Sequence, residues 1–314
     1  MKTLIIALLM LGPAQRDSSN LSVLFWNLEN FFDYFDGGTG DSDAEFSSMG
    51  ARRWTKKRFT AKCMSVSKAV FAISDRYGKI PDIIAVAEVE NASVLRKLVA
   101  LTPLRRFGYK VVHYDSDDPR GIDVGLLYRP DMLRLECSRP CGIPGLRTRD
   151  ILFAGFVSCR DDSIAVLVNH HPSKYGGEAS GLRRKAAVSR MDQVADSLRS
   201  EGWGRCISIG DFNDVPESDI YRPLSRSWKN LSDSLSRKGV GSIRFEGRWQ
   251  LIDQCLVSHE LAPDAVMEVC QLPFLLTRDA AHSGQKPFRT YSGPRYIGGV
   301  SDHLPIVVII HGFL

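Results

Sequence analysis

Ten polar side chains of types that could act on a phosphoester fall at one kind of place, the ends of apolar runs. Asn27 and Glu29 follow LSVLFW, Glu88 follows DIIAVA, and Asn169 and His171 close AVLVNHH. Asp211 and Asn213 follow CISIG, Asp253 lies within LIDQCLVS, and Asp302 and His303 precede LPIVVII. A single acid at such a position is usually a turn former. Repetition at six places points instead to strand ends converging on a common edge. The chemistry fits the residue types. Breaking a phosphodiester needs a hard cation to neutralise developing oxyanion charge, and Glu29, Glu88 and Asp302 offer oxygen ligands suited to Mg²⁺, with Asn27 as a neutral helper. It also needs a proton acceptor for water and donors for the phosphoryl oxygens, which a His beside an acid supplies.

The elements that must position these groups are legible from periodicity. Residues 21–26 read as a first strand, and the polar, Gly-rich stretch 36–50 as an exposed, mobile loop. Phe59, Cys63, Val66, Val70 and Ile73 recur at helical spacing between Lys56 and Tyr77. The run DIIAVAE, nearly all apolar, predicts a strand buried on both faces. A helix capped by Asn91 should run over 92–101, and a long one capped by Ser180 to about residue 200. Further strands are expected at 109–113, 123–128, 132–137, 151–158, 164–169, 206–209, 251–257 and 304–310. Strands outnumber helices and several are adjacent, which argues for an α/β sandwich with largely antiparallel sheets rather than a doubly wound parallel sheet.

The 314 residues carry 44% hydrophobic and 25% charged side chains, an ordinary globular composition able to bury a sizeable core. A formal charge of +5 permits a polyanionic partner without demanding one. Lys2, the apolar run to Leu11 and the small residues Gly12 and Ala14 have the order of a signal peptide. Cleavage is expected near Ala14, giving a secreted or periplasmic protein with no stable membrane anchor. The seven cysteines are odd in number and form no CxxC pair, so a zinc site is not expected. Cys137 and Cys141 are the one pair placed to close a small loop.

The segments WNLEN (26–30), PDIIAVAEVEN (81–91), RGIDVGLLY (120–128), NHH (169–171), GDFND (210–214), LIDQCLVS (251–258) and GGVSDHLPI (298–306) resemble, in order, the motif series of the endonuclease/exonuclease/phosphatase (DNase I-like) superfamily. Each string alone is short, but the series spans nearly the whole chain after the leader. The resemblance implies a single domain over 20–314 with a four-layer α/β sandwich, two packed, mainly antiparallel sheets flanked by helices. It also implies a Mg²⁺-dependent phosphoesterase, with Mn²⁺ or Ca²⁺ as other ions such a site accepts.

Residue roles follow from the same resemblance. Glu88 is matched to the principal metal ligand, with Asn27, Glu29 and Asp302 in support. His171 is matched to the phosphate-contacting His, and Asp211 to the acid that holds or activates water. Asn213 matches the amide beside the transition-state phosphate, and Asp253 the acid that fixes the tautomer of His303. Asp211 and the His303–Asp253 pair both remain open as the base. Asn169, Tyr114 and Arg120 are expected to touch substrate. Asp123 serves equally well as a strand-start acid or as a group orienting His171. His170, next to His171, should point to the opposite face and be structural. Arg183 and Arg184, near the start of a helix, could meet phosphate but read more readily as solvated surface groups, and His113 has no evident partner.

The leading reading is a nuclease with a nucleic-acid substrate. Its alternative is a phosphatase or phospholipase of the same fold acting on inositol phosphates or sphingomyelin, since surrounding loops choose the substrate. The mixed basic and aromatic segment Arg52, Arg53, Trp54, Lys56, Lys57 and Arg58 suits a nucleic-acid backbone. Phe31, Phe32, Tyr34 and Phe35 could serve a membrane-facing loop or the core. A binding protein that had lost catalysis would be expected to lack an acid or a His, and every matched position is intact. The sequence carries no signal of oligomeric state.

Overall fold

The computed structural model describes residues 19–38, 40–174 and 177–314, so the expected signal segment lies outside the described residues. In chain order, β1 (Leu21–Phe31) leads through turns to helix α1 (Lys56–Tyr77), then β2 (Ile83–Val89), α2 (Ala92–Leu101), β3 (Lys110–His113) and β4 (Asp123–Tyr128). The strands β5 (Leu133–Cys141), β6 (Ile151–Ser158) and β7 (Ser163–His170) follow, then α3 (Gly177–Ser200), β8 (Cys206–Asp211), β9 (Trp228–Asn230) and the short α4 (Asp233–Arg237). A hairpin of β10 (Ile243–Phe245) and β11 (Arg248–Gln250) precedes β12 (Asp253–Ser258) and β13 (Ala265–Val269). Two more hairpins, β14 (Leu276–Arg278) with β15 (Gln285–Pro287) and β16 (Tyr291–Ser292) with β17 (Arg295–Tyr296), lead to β18 (Ile306–Ile310).

Two six-stranded sheets result, ordered β13-β18-β1-β2-β4-β3 and β5-β6-β7-β8-β12-β9. Each contains one parallel pairing, β1 with β2 and β7 with β8, and is otherwise antiparallel. The alternation along each strand decides the layers. Val23 and Phe25 of β1, Ile83 and Ala85 of β2, and Val166 and Val168 of β7 share the core between the sheets. Leu24, Trp26 and Val86 face the other way, against Phe59, Cys63, Val66 and Val70 of α1 and Leu95 and Leu98 of α2. Ala165 and Leu167 of β7 likewise meet Val188, Met191 and Leu198 of α3. The expected four-layer sandwich is therefore what forms. Strands buried on both faces carry no polar alternation, which is why their sequences read as continuous apolar runs.

Helix α1 is held at its start by Thr55, whose side chain accepts from Arg58 N, and ends at Gly78 in a left-handed cap with φ 68°. Asn91 caps α2 through Val94 N–H (3.1 Å). Three expectations need correction. The stretch 36–50 is not simply an exposed loop, because Asp43, Phe46 and Ser47 are buried and Phe46 stacks on Phe32. Cys137 and Cys141 are unbridged, four residues apart on one strand, a span of about 13 Å that no disulfide closes. Trp54 is core, with Nε1–H donating to Phe32 O (2.8 Å), and so cannot stack on a base. Among the described residues no helix is long and apolar enough to cross a membrane.

Candidate active site

β1 and β2 run parallel and end together, and each end turns sharply. Glu29 (φ 48°) and Asn30 (φ 50°) close β1, Glu88 (φ 60°) breaks β2, and Asn213 (φ 51°) follows β8. Left-handed backbone at non-glycine residues costs about 1–3 kcal/mol each and persists only where surroundings hold it. Here the site's own side chains do so. Asn27 Oδ1 accepts from Glu29 N (2.9 Å), Glu88 Oε2 from Asn30 N (2.8 Å), and Asp211 Oδ1 from Asn213 N (2.9 Å). The bends carry the Glu88 carboxylate to Asn27 and Arg120 and the Glu29 carboxylate to Arg289 and Thr290. The segment just before β18 is fastened to the same point, with Ser301 Oγ donating to Asn27 O (2.6 Å) and Trp26 Nε1 to His303 O (2.9 Å).

At the centre, His303 Nδ1 lies 2.7 Å from Asp253 Oδ2, and its Nε2 faces Asp211 Oδ2 at 3.8 Å. Asn27 Nδ2 donates to Asp211 Oδ2 (3.0 Å) and reaches Glu88 Oε1 (3.4 Å). Arg120 Nη2 bonds Asn30 Oδ1 (2.5 Å) and lies 3.5 Å from Glu88 Oε2. On the other side Arg289 bridges Glu29 (3.1 Å) and Asp302 (3.2 Å), and Thr290 N–H donates to Glu29 Oε2 (2.6 Å). Lys62 lies buried beneath this rim, its Nζ donating to Glu29 O (2.6 Å) and Thr290 Oγ1 (2.9 Å). Beside it a cavity of about 200 Å³ is lined by Glu29, Asn30, Phe46, Arg52, Arg289 and Tyr291.

The electrostatics divide these groups by protonation. Burial pushes Asp211 up to about 7, against the pull of His303, and neighbouring Asp253 adds to the rise. Burial disfavours a charged His303, but the Asp253 carboxylate at its Nδ1, with Asp211 and Asp302 nearby, overrides this and holds the ring well above the usual histidine range. Burial also opposes the charge on Glu88, yet Arg120 and the Asn30 N–H keep its carboxyl below the ordinary value. Glu29 is raised to about 7, by burial first and then by Asp302.

Most of the expected residues thus meet in one place: Asn27, Glu29, Glu88, Arg120, Asp211, Asp253, Asp302 and His303. Asn213 sits at the edge, its Nδ2 donating to His171 O (2.9 Å). Three do not join. Asn169 is fully buried and spends its amide on Leu167 O and Ser208 Oγ. His171 packs on Phe212, 4.7 Å between ring centres, with Nε2 3.3 Å from Asn169 Oδ1. Burial, then Arg149 and Arg184, presses its pKa down to about 3. The reason is parity. Ala165 and Leu167 face α3, so Asn169 and His171 do too, while Val166, Val168 and His170 face inward. His170, expected to be structural, is the one beside Asp211, with Nε2 3.7 Å from Oδ2. Tyr114 is engaged with Ser138 rather than the centre, its hydroxyl 2.8 Å from Ser138 Oγ. Asp123 faces His113, not His171. Arg184 is not a solvated surface group, being buried against Asp214 (3.2 Å). The parity of β7 could have found His170. Nothing in the spacing of Lys62 or Arg289 marks either as part of this rim.

A sequence profile described as the endonuclease/exonuclease/phosphatase family matches residues 22–312. No curated protein sequence matches the chain. Among solved structures, truncated TDP2 of Caenorhabditis elegans superposes with a TM-score of 0.58 at 14% identity, covering 95% of this chain and all of that one. The human Nocturnin catalytic domain with bound sulfate gives 0.57 at 16%, covering 93% and 95%. D. rerio TDP2 complexed with a single strand DNA product gives 0.55 at 14%, covering 93% and 98%. At such identities the likeness is one of fold.

Proposed function

The chain belongs to the endonuclease/exonuclease/phosphatase family, and on that premise we propose that it is a Mg²⁺-dependent phosphodiesterase that hydrolyses nucleic-acid strands. The observation that carries the reading is the His303 ring held between two buried carboxylates, 2.7 Å from Asp253 and 3.8 Å from Asp211, next to Asn27 and Glu88. Asp253 accepts the hydrogen bond from Nδ1–H and thereby fixes the ring, leaving Nε2–H of the imidazolium to donate to a phosphoryl oxygen or to the leaving oxygen. Asp211, titrating near neutrality, accepts a proton from the attacking water. Asn27 holds Asp211 and Glu88 in register, and His170 completes the wall beside Asp211.

The donor set fits a hard divalent cation. Glu88 and Asp302 present carboxylate oxygens at the mouth, Glu88 is kept anionic by Arg120, and no thiol lies among these residues. Glu29 is held by Thr290 and Arg289 and, with its carboxyl pushed up to about 7, is a poorer anion than Glu88, so Glu29 braces the rim. Such a cation, when bound, supplies Lewis-acid neutralisation of the charge that develops on the phosphoryl group. The nucleic-acid assignment is supported by the half-exposed guanidinia of Arg120 and Arg289 at the mouth and by the DNA product in the D. rerio TDP2 structure. The leader-like order of residues 1–14 supports export.

The test is incubation of the purified protein with Mg²⁺ and single-stranded DNA, plasmid DNA, RNA, sphingomyelin and inositol phosphates. Cleavage of a nucleic-acid backbone that stops in excess EDTA is expected. Turnover confined to the lipid or inositol phosphates would overturn the substrate assignment.

A further inference from the structure

A second group of ligand-type side chains lies at the start of β4. His113 ends β3, and its register partner on β4 is Gly125. Without a Cβ there, the imidazole lies against the strand, 3.5 Å from where that Cβ would be. Strand parity puts Asp115 on the same face as His113, and continuing the register by two residues brings Asp115 toward Asp123. The ring lies between the two acids: His113 Nε2 is 3.8 Å from Asp123 Oδ2, and the opposite nitrogen, Nδ1, is 3.7 Å from Asp115 Oδ1. One ligand atom from each of the three falls within 4.8 Å of the others.

Two observations set this group apart from an ordinary surface cluster. The His113 side chain is only 2% exposed, yet its Nε2 has no hydrogen-bond partner and is aimed at Asp123. Asp123 is also buried, and its Oδ1 is saturated by Ser116 N–H and Oγ–H, so that Oδ2 is the oxygen left facing the ring. Two acids brought together across a ladder repel unless a positive charge lies between them. Arg96 of α2 acts on His113 electrostatically, and among the described residues it forms no ion pair with Asp115 or Asp123.

We propose that His113, Asp115 and Asp123 bind a structural transition-metal ion of the Zn²⁺ class, separate from the cation held near Glu88. Bonds of about 2.0–2.2 Å at a tetrahedral centre place neighbouring ligand atoms roughly 3.4 Å apart; His113 Nε2 and Asp123 Oδ2 stand 3.8 Å apart, and the exposed Asp115 side chain need only rotate from the Nδ1 edge of the ring to reach the same ion. The imidazole nitrogen favours Zn²⁺ or Co²⁺ over Mg²⁺. Burial lowers the His113 pKa, which keeps the ring neutral and ready to ligate. The ion would close the loop between Asp115 and Asp123. That loop carries Arg120, which touches Asn30 and Glu88. The site would thereby steady the active-site rim from behind.

The test is metal binding, read without reference to activity. The full chain, stripped with chelator, is titrated with Zn²⁺ by calorimetry and with Co²⁺ by visible absorption, alongside Glu88→Gln, His113→Gln and Asp115→Asn. Asp115 is 85% exposed, so its substitution leaves folding intact. One Zn²⁺ equivalent that survives in Glu88→Gln and weakens at least about tenfold in both His113→Gln and Asp115→Asn is the expected result. Equal Zn²⁺ affinity in wild type and Asp115→Asn, or no stoichiometric Zn²⁺ binding by wild type, would overturn the site. Because Glu88→Gln is scored separately, the outcome does not depend on the phosphodiesterase reading.

Discussion

Two residues, Asp211 and His303, should write the pH profile between them. Asp211 titrates near 7, so kcat/KM should rise with pH as its proton is lost. His303 is held charged well above the histidine range, so activity should fall again only at higher pH, when the ring loses its proton. Asp211→Asn should lower kcat by about 10²-fold or more and remove the rising limb. A wild-type profile flat from weakly acidic to neutral pH would contradict the assignment. His171 should mark stability instead. Its pKa falls from 6.5 in the unfolded chain to about 3 in the fold, so the unfolded state binds the proton first. Stability is then full above the unfolded value and is lost as pH falls toward 3, by up to about 5 kcal/mol for the whole shift. Denaturant unfolding across that range should show a shallower acid decline for His171→Asn than for wild type. Equal declines would show that His171 is not the group responsible.

At the scale of elements, the ends of strands matter more than their middles. The parallel pairing of β7 with β8 sets Asn169 opposite Gly210, where an added Cβ would lie 2.1 Å from Asn169 O. Gly210→Ala should therefore cost about 1–3 kcal/mol and lower Tm, with kcat falling because Asp211 moves with the strand. An unchanged Tm would mean that this contact relaxes freely. Parity along β7 gives a sharper contrast: His170→Ala should lower kcat by about 10²-fold, whereas His171→Ala should act mainly on stability. Much of this was legible beforehand. Helices α1 and α2 follow the apolar spacing, α2 with its expected Asn91 cap, and the buried strands follow their apolar runs, whereas α3 starts at Gly177 and takes the expected cap Ser180 inside the helix. What escaped reading depends on partners distant in sequence. β9 and β13 are short edge strands defined by β12 and β18, and Lys62 and Arg289 reach the site only once α1 and the β16–β17 region fold against β1. His170 was misplaced because NHH offers two histidines, and only the inward face of Val166 and Val168 chooses between them.

At the scale of the whole molecule, the two sheets divide the chemistry. Asn27, Glu88 and the Asp302–His303 segment come from the β1 sheet, and His170, Asp211 and Asp253 from the β8 sheet. Neither half holds a complete set, so the site exists only when the sheets pack on the core that Phe25, Val166 and Ile209 share. If the leader is removed on export, protein recovered from the cell envelope or medium should lack residues 1–14 by intact mass, and a mass retaining them would refute cleavage. The central claim, that buried acids from one sheet and a His from the other act as one unit on a phosphodiester, is tested most directly by a kinetic double-mutant cycle. Cleavage of an oligonucleotide would be measured for wild type, Asp253→Asn, His303→Ala and the double variant. Because Asp253 acts through His303, the double variant should be little slower than His303→Ala alone, itself down by about 10²-fold or more. Strictly multiplicative losses, or a His303→Ala enzyme as fast as wild type, would contradict the account.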